Sequence, residues 1–250
     1  MYTHAIVKKP GINFAKGITT ANLGKPKYEK AALQHRLYCE ALKKCGLKVI
    51  VLEPDLRHPD GCFVEDTAII TEKSAIITQP GDLSRRGEKE EIAEIISNYK
   101  KIRCIKSPGT IDGGDILRIN NHFYIGLSKR TNKAGAKQLA IILSKDGYTS
   151  STIPVKSVLH LKTGVTYISN NNLIAIKEFS NRFKLFNIIK VDEDENYSAN
   201  CLFVNNFLMV PKGFPKTKQK ISELRYNIIE VEMSEFRKMD GGLTCLSLLF

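Results

Sequence analysis

Strand-like runs recur along this chain at intervals of forty-odd residues, and that periodicity limits its folds more than any other feature. Each unit opens on a turn carrying a carboxylate, His or Cys. An apolar strand, a tight polar turn and a second strand follow, and usually a helix and a third strand. Residues 63–78 read FVEDTAII, TEKS, AIIT; 111–127 read IDGGDILRI, NNH, FYIGL; 159–176 read LHLKTGVTYI, SNNN, LIAI. Residues 199–210 read ANCLFV, NN, FLMV, and 239–250 read MDGGLTCLSLLF, a fifth copy that stops after one strand. With Asp66, Asp112, His160, Asn200 and Gly241 as markers, the steps are 46, 48, 40 and 41 residues. Such a repeat points to radial or solenoid architecture. A lone N-terminal strand, HAIVK, followed by a helix is what the fifth copy lacks. Pairing the two would close a ring and leave few exposed strand edges. A mixed α/β sheet with accidental periodicity is the weaker alternative, because the hairpins match in every copy.

Between the hairpins, helical spacing predicts helices over 28–45 (stopped by Gly46), 88–99, 133–145 and a shorter 216–224, with 177–186 weakly helical. Residues 17–27, GITTANLGKPK, read as a loop. One catalytic domain spanning 1–250 is expected. No apolar run reaches the ~18 residues of a membrane helix, and MYTHAIVKKPG lacks the apolar core of a secretory signal. Six cysteines without a CxxC pair suit neither a zinc site nor a disulfide framework, so a reduced cytoplasmic protein is expected. The net charge of +12 raises nucleic acid as a partner, but the 38 Lys and Arg are scattered without an arm or aromatic interleaving. The more telling charges are carboxylates in apolar, glycine-bearing surroundings: Asp60, Glu65, Asp66, Asp112, Asp115 and Asp240. Acids gathered inside a basic protein suit a small cationic ligand.

Radial closure would aim the matching turns at one axis, bringing Asp66, Asp112, His160 and Cys245 together. Cys245 alone, at the start of an apolar strand, reads more readily as a small core residue than as a nucleophile. A histidine and carboxylates beside it suit thiolate chemistry. His160, between two leucines, is a fixed ring in either reading. Carboxylates at Asp66 and Asp112 suit the paired N–H donors of a guanidinium, although Asp before Gly is also a turn residue. Asp115 carries more of that turn character. Arg85 and Arg130, in loops after hairpins, could clamp a carboxylate or simply be solvated. Asp60 and Glu65 could receive an ammonium.

DGCFVEDTAII, PGDLSRRGE, GTIDGGDIL, GLSKRTN, LHLKTG, ANCLFVN and MSEFRKMDGGLTCLSL together resemble the dimethylarginine dimethylaminohydrolase family of the guanidine-modifying superfamily, over essentially the whole chain. The resemblance implies a five-bladed α/β propeller of pseudo-symmetric ββαβ units with an axial active site. It implies Cys245 as nucleophile and His160 as general acid and base. Asp112, where the family uses Asp or Glu, would hold the guanidinium with Asp66, and Asp60 and Glu65 would line the site. Arg85 and Arg130 would take the α-carboxylate, and backbone groups near Ile18, Met239 and Asp240 would complete the pocket. The implied reaction turns dimethyl- or monomethylarginine and water into citrulline and the methylated amine through a thiouronium on Cys245. It needs no metal and no cofactor, and no nucleic-acid or membrane partner. A homodimer stays open. The nearest alternative is an arginine deiminase of the same superfamily. A second is a non-catalytic binding protein for a cationic amino acid, which the pairing of Cys with His disfavours.

Overall fold

A computed structural model describes residues 1–250. Fifteen strands form five three-stranded sheets. In sequence order the sheets are β3 (Ala68–Ile70), β4 (Ser74–Ile77) and β5 (Lys101–Cys104); β6 (Ile116–Ile119), β7 (His122–Leu127) and β8 (Thr149–Pro154); β9 (Val165–Tyr167), β10 (Asn172–Ala175) and β11 (Asn187–Lys190); and β12 (Leu202–Val204), β13 (Phe207–Pro211) and β14 (Asn227–Val231). The fifth joins β15 (Leu248–Leu249) to β1 (His4–Lys8) and β2 (Lys48–Leu52). Within each sheet the first strand is antiparallel to the second and the third is parallel to it, as in Ile69↔Ile76 and Ile76↔Arg103. A parallel return needs a long crossover. α1 (Tyr28–Lys44), α2 (Lys89–Ser97), α3 (Lys133–Lys145) and α6 (Pro215–Ser222) supply it in four blades. In the third blade, α5 (Lys177–Ser180) is a single turn.

The circular closure read from the repeat is present. β15 pairs with β1 through Ala5↔Leu249 and Ile6↔Leu248, so the fifth blade is assembled from both ends of the chain. Its strands complete the five small sheets of a pseudo-symmetric α/β propeller, and the central strands β1, β4, β10 and β13 are almost wholly buried. Asparagines make the hairpins of the second, third and fourth sheets. Asn205 and Asn206, with φ of 46° and 73°, form the two-residue loop between β12 and β13, a conformation asparagine tolerates. The helices pack apolar faces on these strands; Ile92 and Ile96 of α2 lie with Ala75 and Ile77 of β4.

One expectation needs correcting. Cys245, expected at the start of a strand, lies in the turn before it. The turn expected to open each unit is one helical turn, at Val64–Thr67, Gly113–Asp115, α4 (Leu161–Gly164) and Thr244–Leu246, and the strand starts after it. Successive side chains of a helical turn fan out by about 100°, so Asp66 reaches the axial cavity while its neighbour Glu65 turns towards Lys162. The turns touch one another in sequence around the ring.

Candidate active site

The nucleophile turn is held by three groups from distant segments, Tyr38 and Asn200 buried and Tyr197 half-buried. Tyr38 of α1 donates its hydroxyl to the Leu243 carbonyl (2.9 Å). Tyr197 donates to the Gly241 carbonyl (2.8 Å). Asn200 accepts the Thr244 N–H (3.0 Å) and donates to the Lys162 carbonyl (2.8 Å) and Thr244 Oγ1 (3.1 Å). A β-carbon on Gly242 would lie 2.5 Å from Asn200 Oδ1, so the close approach requires glycine. The Cys245 sulfur accepts the Gly242 N–H at 3.3 Å. Burial pushes its thiol up to about 12, and Glu65 and Asp66 add to the effect.

His160 and its acids form a connected network. His160 Nε2 lies 3.0 Å from Asp112 Oδ2, and Asp112 Oδ1 accepts the Gly81 N–H (2.8 Å). Burial opposes charge on the ring, but Asp66, the hydrogen bond to Asp112 and Asp115 outweigh it and hold the imidazole up at about 9. Asp66 accepts from the Gly114 N–H (2.9 Å) and from Arg85 Nη1 (2.6 Å). Burial would raise its pKa, but His160 and Arg85 bring it down to about 2. A β-carbon on Gly114 would come within 2.6 Å of His160 Nδ1, so this glycine makes room for the ring. Asp115 accepts from Ser128 Oγ (2.6 Å) and the Leu161 N–H (3.0 Å) and serves the turn, as its position before a strand suggested.

A cavity of about 30 Å³ lies over this network, lined among others by Asp60, Asp66, Arg130, His160 and Cys245. Ile18, Arg85, Met239 and Asp240 also reach it. The structure distinguishes the two arginines. Arg85 is buried and committed to Asp66, both Glu88 oxygens and the Phe63 carbonyl, which occupies four of its five N–H groups. Arg130 Nη1 is buried without a hydrogen-bond partner, with Asp82 and Asp112 at 3.6 and 4.0 Å. Asp60 accepts the Ile18 N–H (3.0 Å) through a carboxyl whose pKa burial raises.

Three expected site residues have further partners. Asp112 is fully buried and does not line the cavity, and its link to the axis is the hydrogen bond to His160. Glu65 faces away from the cavity, pairing with Lys162 and accepting from Thr244 Oγ1 (2.8 Å), and lines a separate cavity of about 190 Å³. Asp240 accepts from the Thr20 N–H (2.5 Å) and hydroxyl (2.9 Å), latching the 17–27 segment across the site. Asn200, Thr244, Lys162 and Glu88 were not picked out as site residues. Asn200 had a signal, since it marks the fourth repeat where the others carry Asp66, Asp112 and His160. Asp66, Asp112 and His160 each offer a ligand atom within 4.8 Å of the others, a geometry open to a metal ion. Those atoms are already engaged with Arg85, Gly114, Gly81 and each other.

The arginine deiminase family matches residues 57–206. N(G),N(G)-dimethylarginine dimethylaminohydrolase of Pseudomonas aeruginosa is 46% identical over 254 aligned positions, covering all of both chains. The protein of that name from Streptomyces coelicolor is 32% identical over 97% of this chain and 95% of its own. The solved structure of a cysteine-to-serine variant of the Pseudomonas enzyme complexed with citrulline superposes with a TM-score of 0.98 over the full length of both chains, at 46% identity.

Proposed function

The chain belongs to the dimethylarginine dimethylaminohydrolase family, and on that premise we propose how its site works. The protein hydrolyses N(G),N(G)-dimethylarginine, or the monomethyl form, to citrulline and dimethylamine or methylamine through a covalent cysteine intermediate. One catalytic domain spanning 1–250 does this chemistry. The observation that carries the reading is the convergence of Cys245, a protonated His160 and Asp66 on one cavity, with Asp112 behind the ring.

The unpaired Arg130 Nη1, with the remaining Arg85 N–H, receives the α-carboxylate. Asp60 and main-chain groups at Ile18, Met239 and Asp240 receive the ammonium, and Asp66 faces the guanidinium. The present cavity, about 30 Å³, is too small for an arginine side chain. The 17–27 segment therefore swings away to admit substrate and re-latches on Asp240. Cys245 alone stays a thiol at neutral pH; the positive guanidinium arriving beside it favours the thiolate, whose proton passes to solvent because His160 is already protonated. The thiolate attacks the guanidinium carbon. His160 protonates the departing dimethylamine nitrogen, the C–N bond breaks, and a thiouronium remains on sulfur. Neutral His160 then takes a proton from water, which attacks the same carbon. The C–S bond breaks and citrulline leaves. Proton transfer by a positioned group is worth ~10²–10⁴-fold.

Every residue invoked comes from one chain, so a homodimer would not be required by the chemistry. Six unpaired cysteines, one of them the nucleophile, support a reducing compartment such as the cytoplasm. The second reading is arginine as substrate, favoured by the arginine deiminase match over 57–206. Mass spectrometry of the amine released by purified protein separates them. Dimethylamine from asymmetric dimethylarginine is expected, and ammonia from arginine at a far higher kcat/KM would overturn the assignment.

A further inference from the structure

Cys245 also forms part of the wall of a second, larger cleft. This space, about 770 Å³, shares only Leu159, Asp240 and Cys245 with the small cavity. It lies on the side of the sulfur away from Asp60, Arg85 and Arg130, none of which lines it. Three cations line it: Lys129, Lys156 and Arg237. None of them is in an ion pair, whereas most arginines and many lysines elsewhere in the chain are. Arg237 is half-buried and fixed, its guanidinium 5.0 Å from the Tyr197 ring centroid and 5.4 Å from that of Phe214. The cleft's one carboxylate, Asp240, is occupied by Thr19 and Thr20. A cation held on aromatic faces, with two more at the rim against the single carboxylate of Asp240, leaves the cleft net positive and suits an anionic group.

Resting on the proposed reaction, we propose that this cleft receives the N-substituent of a second substrate class: arginines whose terminal guanidine nitrogen carries a short chain ending in a carboxylate. The arginine part occupies the small cavity. The substituted nitrogen faces His160, and its chain passes between Leu159 and Cys245 towards Arg237. The step balances as for dimethylarginine. The thiolate forms the C–S bond, His160 protonates the substituted nitrogen, and the C–N bond breaks to release an amino acid. Water then converts the thiouronium to citrulline. With a carboxymethyl substituent the released amine is glycine.

The test uses purified enzyme with Nω-carboxymethylarginine, Nω-ethylarginine as a similarly sized uncharged comparator, and asymmetric dimethylarginine. Citrulline and the released amine are quantified by mass spectrometry. Glycine and citrulline in equal amounts are expected, with kcat/KM above that for the ethyl compound and the advantage shrinking in high salt. Arg237→Gln should lower kcat/KM for the carboxymethyl substrate about tenfold, the equivalent of one charged contact, while dimethylarginine turnover changes little. Lys129→Glu with Lys156→Glu, both exposed, should act in the same direction without touching the Tyr197 packing. Turnover of dimethylarginine with no glycine from the carboxymethyl compound would overturn this inference and leave the main reaction standing, as would equal losses on both substrates in the two variants. Inertness towards all three compounds would overturn the proposed reaction as well.

Discussion

Replacing Asp112 with Asn tests the link between the buried acid and the proton carrier. The ring is held at about 9 against an ordinary value of ~6.5, which corresponds to about 3 kcal/mol favouring the imidazolium. Burial works against that charge, so the three acids must more than offset it. At 3.0 Å an opposite unit charge contributes about 5 kcal/mol at an effective dielectric of ~20. Asp66 and Asp115 remain in the variant, and the Asn amide can still accept the Gly81 N–H. Losing Asp112 alone should therefore remove about half or more of the net effect, lowering the His160 pKa by ~1–2 units. Because the folded pKa is raised, the associated stability is complete below ~6.5 and is lost as pH climbs through about 9. In Asp112→Asn the alkaline limb of the kcat/KM profile for dimethylarginine should shift from near 9 towards 7. Activity should fall by at least ~10-fold at pH 8.5 and recover partly near pH 6. Urea unfolding of the native protein should weaken between pH 6.5 and 9, and the variant should show a flatter dependence. An unchanged alkaline limb with normal activity at pH 8.5 would refute the assignment of Asp112 to His160.

Three further outcomes follow from the same geometry. Cys245→Ser should abolish citrulline formation and the covalent adduct in intact-protein mass spectrometry, with a Tm close to the parent; turnover in that variant would remove the covalent route. Asn200→Ala leaves the Thr244 N–H and Lys162 carbonyl without their partner, so stability should drop by about 1–3 kcal/mol in urea unfolding and kcat should fall more than KM rises. Deleting residues 248–250 removes the pairing to Ala5 and Ile6 and the Phe250 carbonyl that accepts from Thr3 and His4, so circular dichroism should show a large Tm loss together with loss of activity.

The strands and most helices were legible because they follow from short-range rules. α3 falls on the expected 133–145, and α1 and α6 end within two residues of expectation, because their apolar spacing and a following Gly46 or capping Asn132 act locally. The hairpin asparagines are equally local. Cys245 falls in a turn rather than at a strand start for a reason that is not local. Thr244 favours extended chain in isolation, and packing of the nucleophile turn overrides that preference.

By itself the sequence determined the repeat, the missing strand that closes the ring, and the residue types able to do thiolate chemistry. Only the tertiary structure decided how those residues share their bonds. It committed Arg85 to Asp66 and Glu88, left Arg130 Nη1 without a hydrogen bond, turned Glu65 towards Lys162, and made Asn200 the tie between the nucleophile turn and the histidine turn. The physical reason is range. Propensity and periodicity act over a few residues, whereas these contacts join residues 38, 44, 97 and 179 positions apart. Competition for each buried donor and acceptor is settled only when the blades meet at the axis.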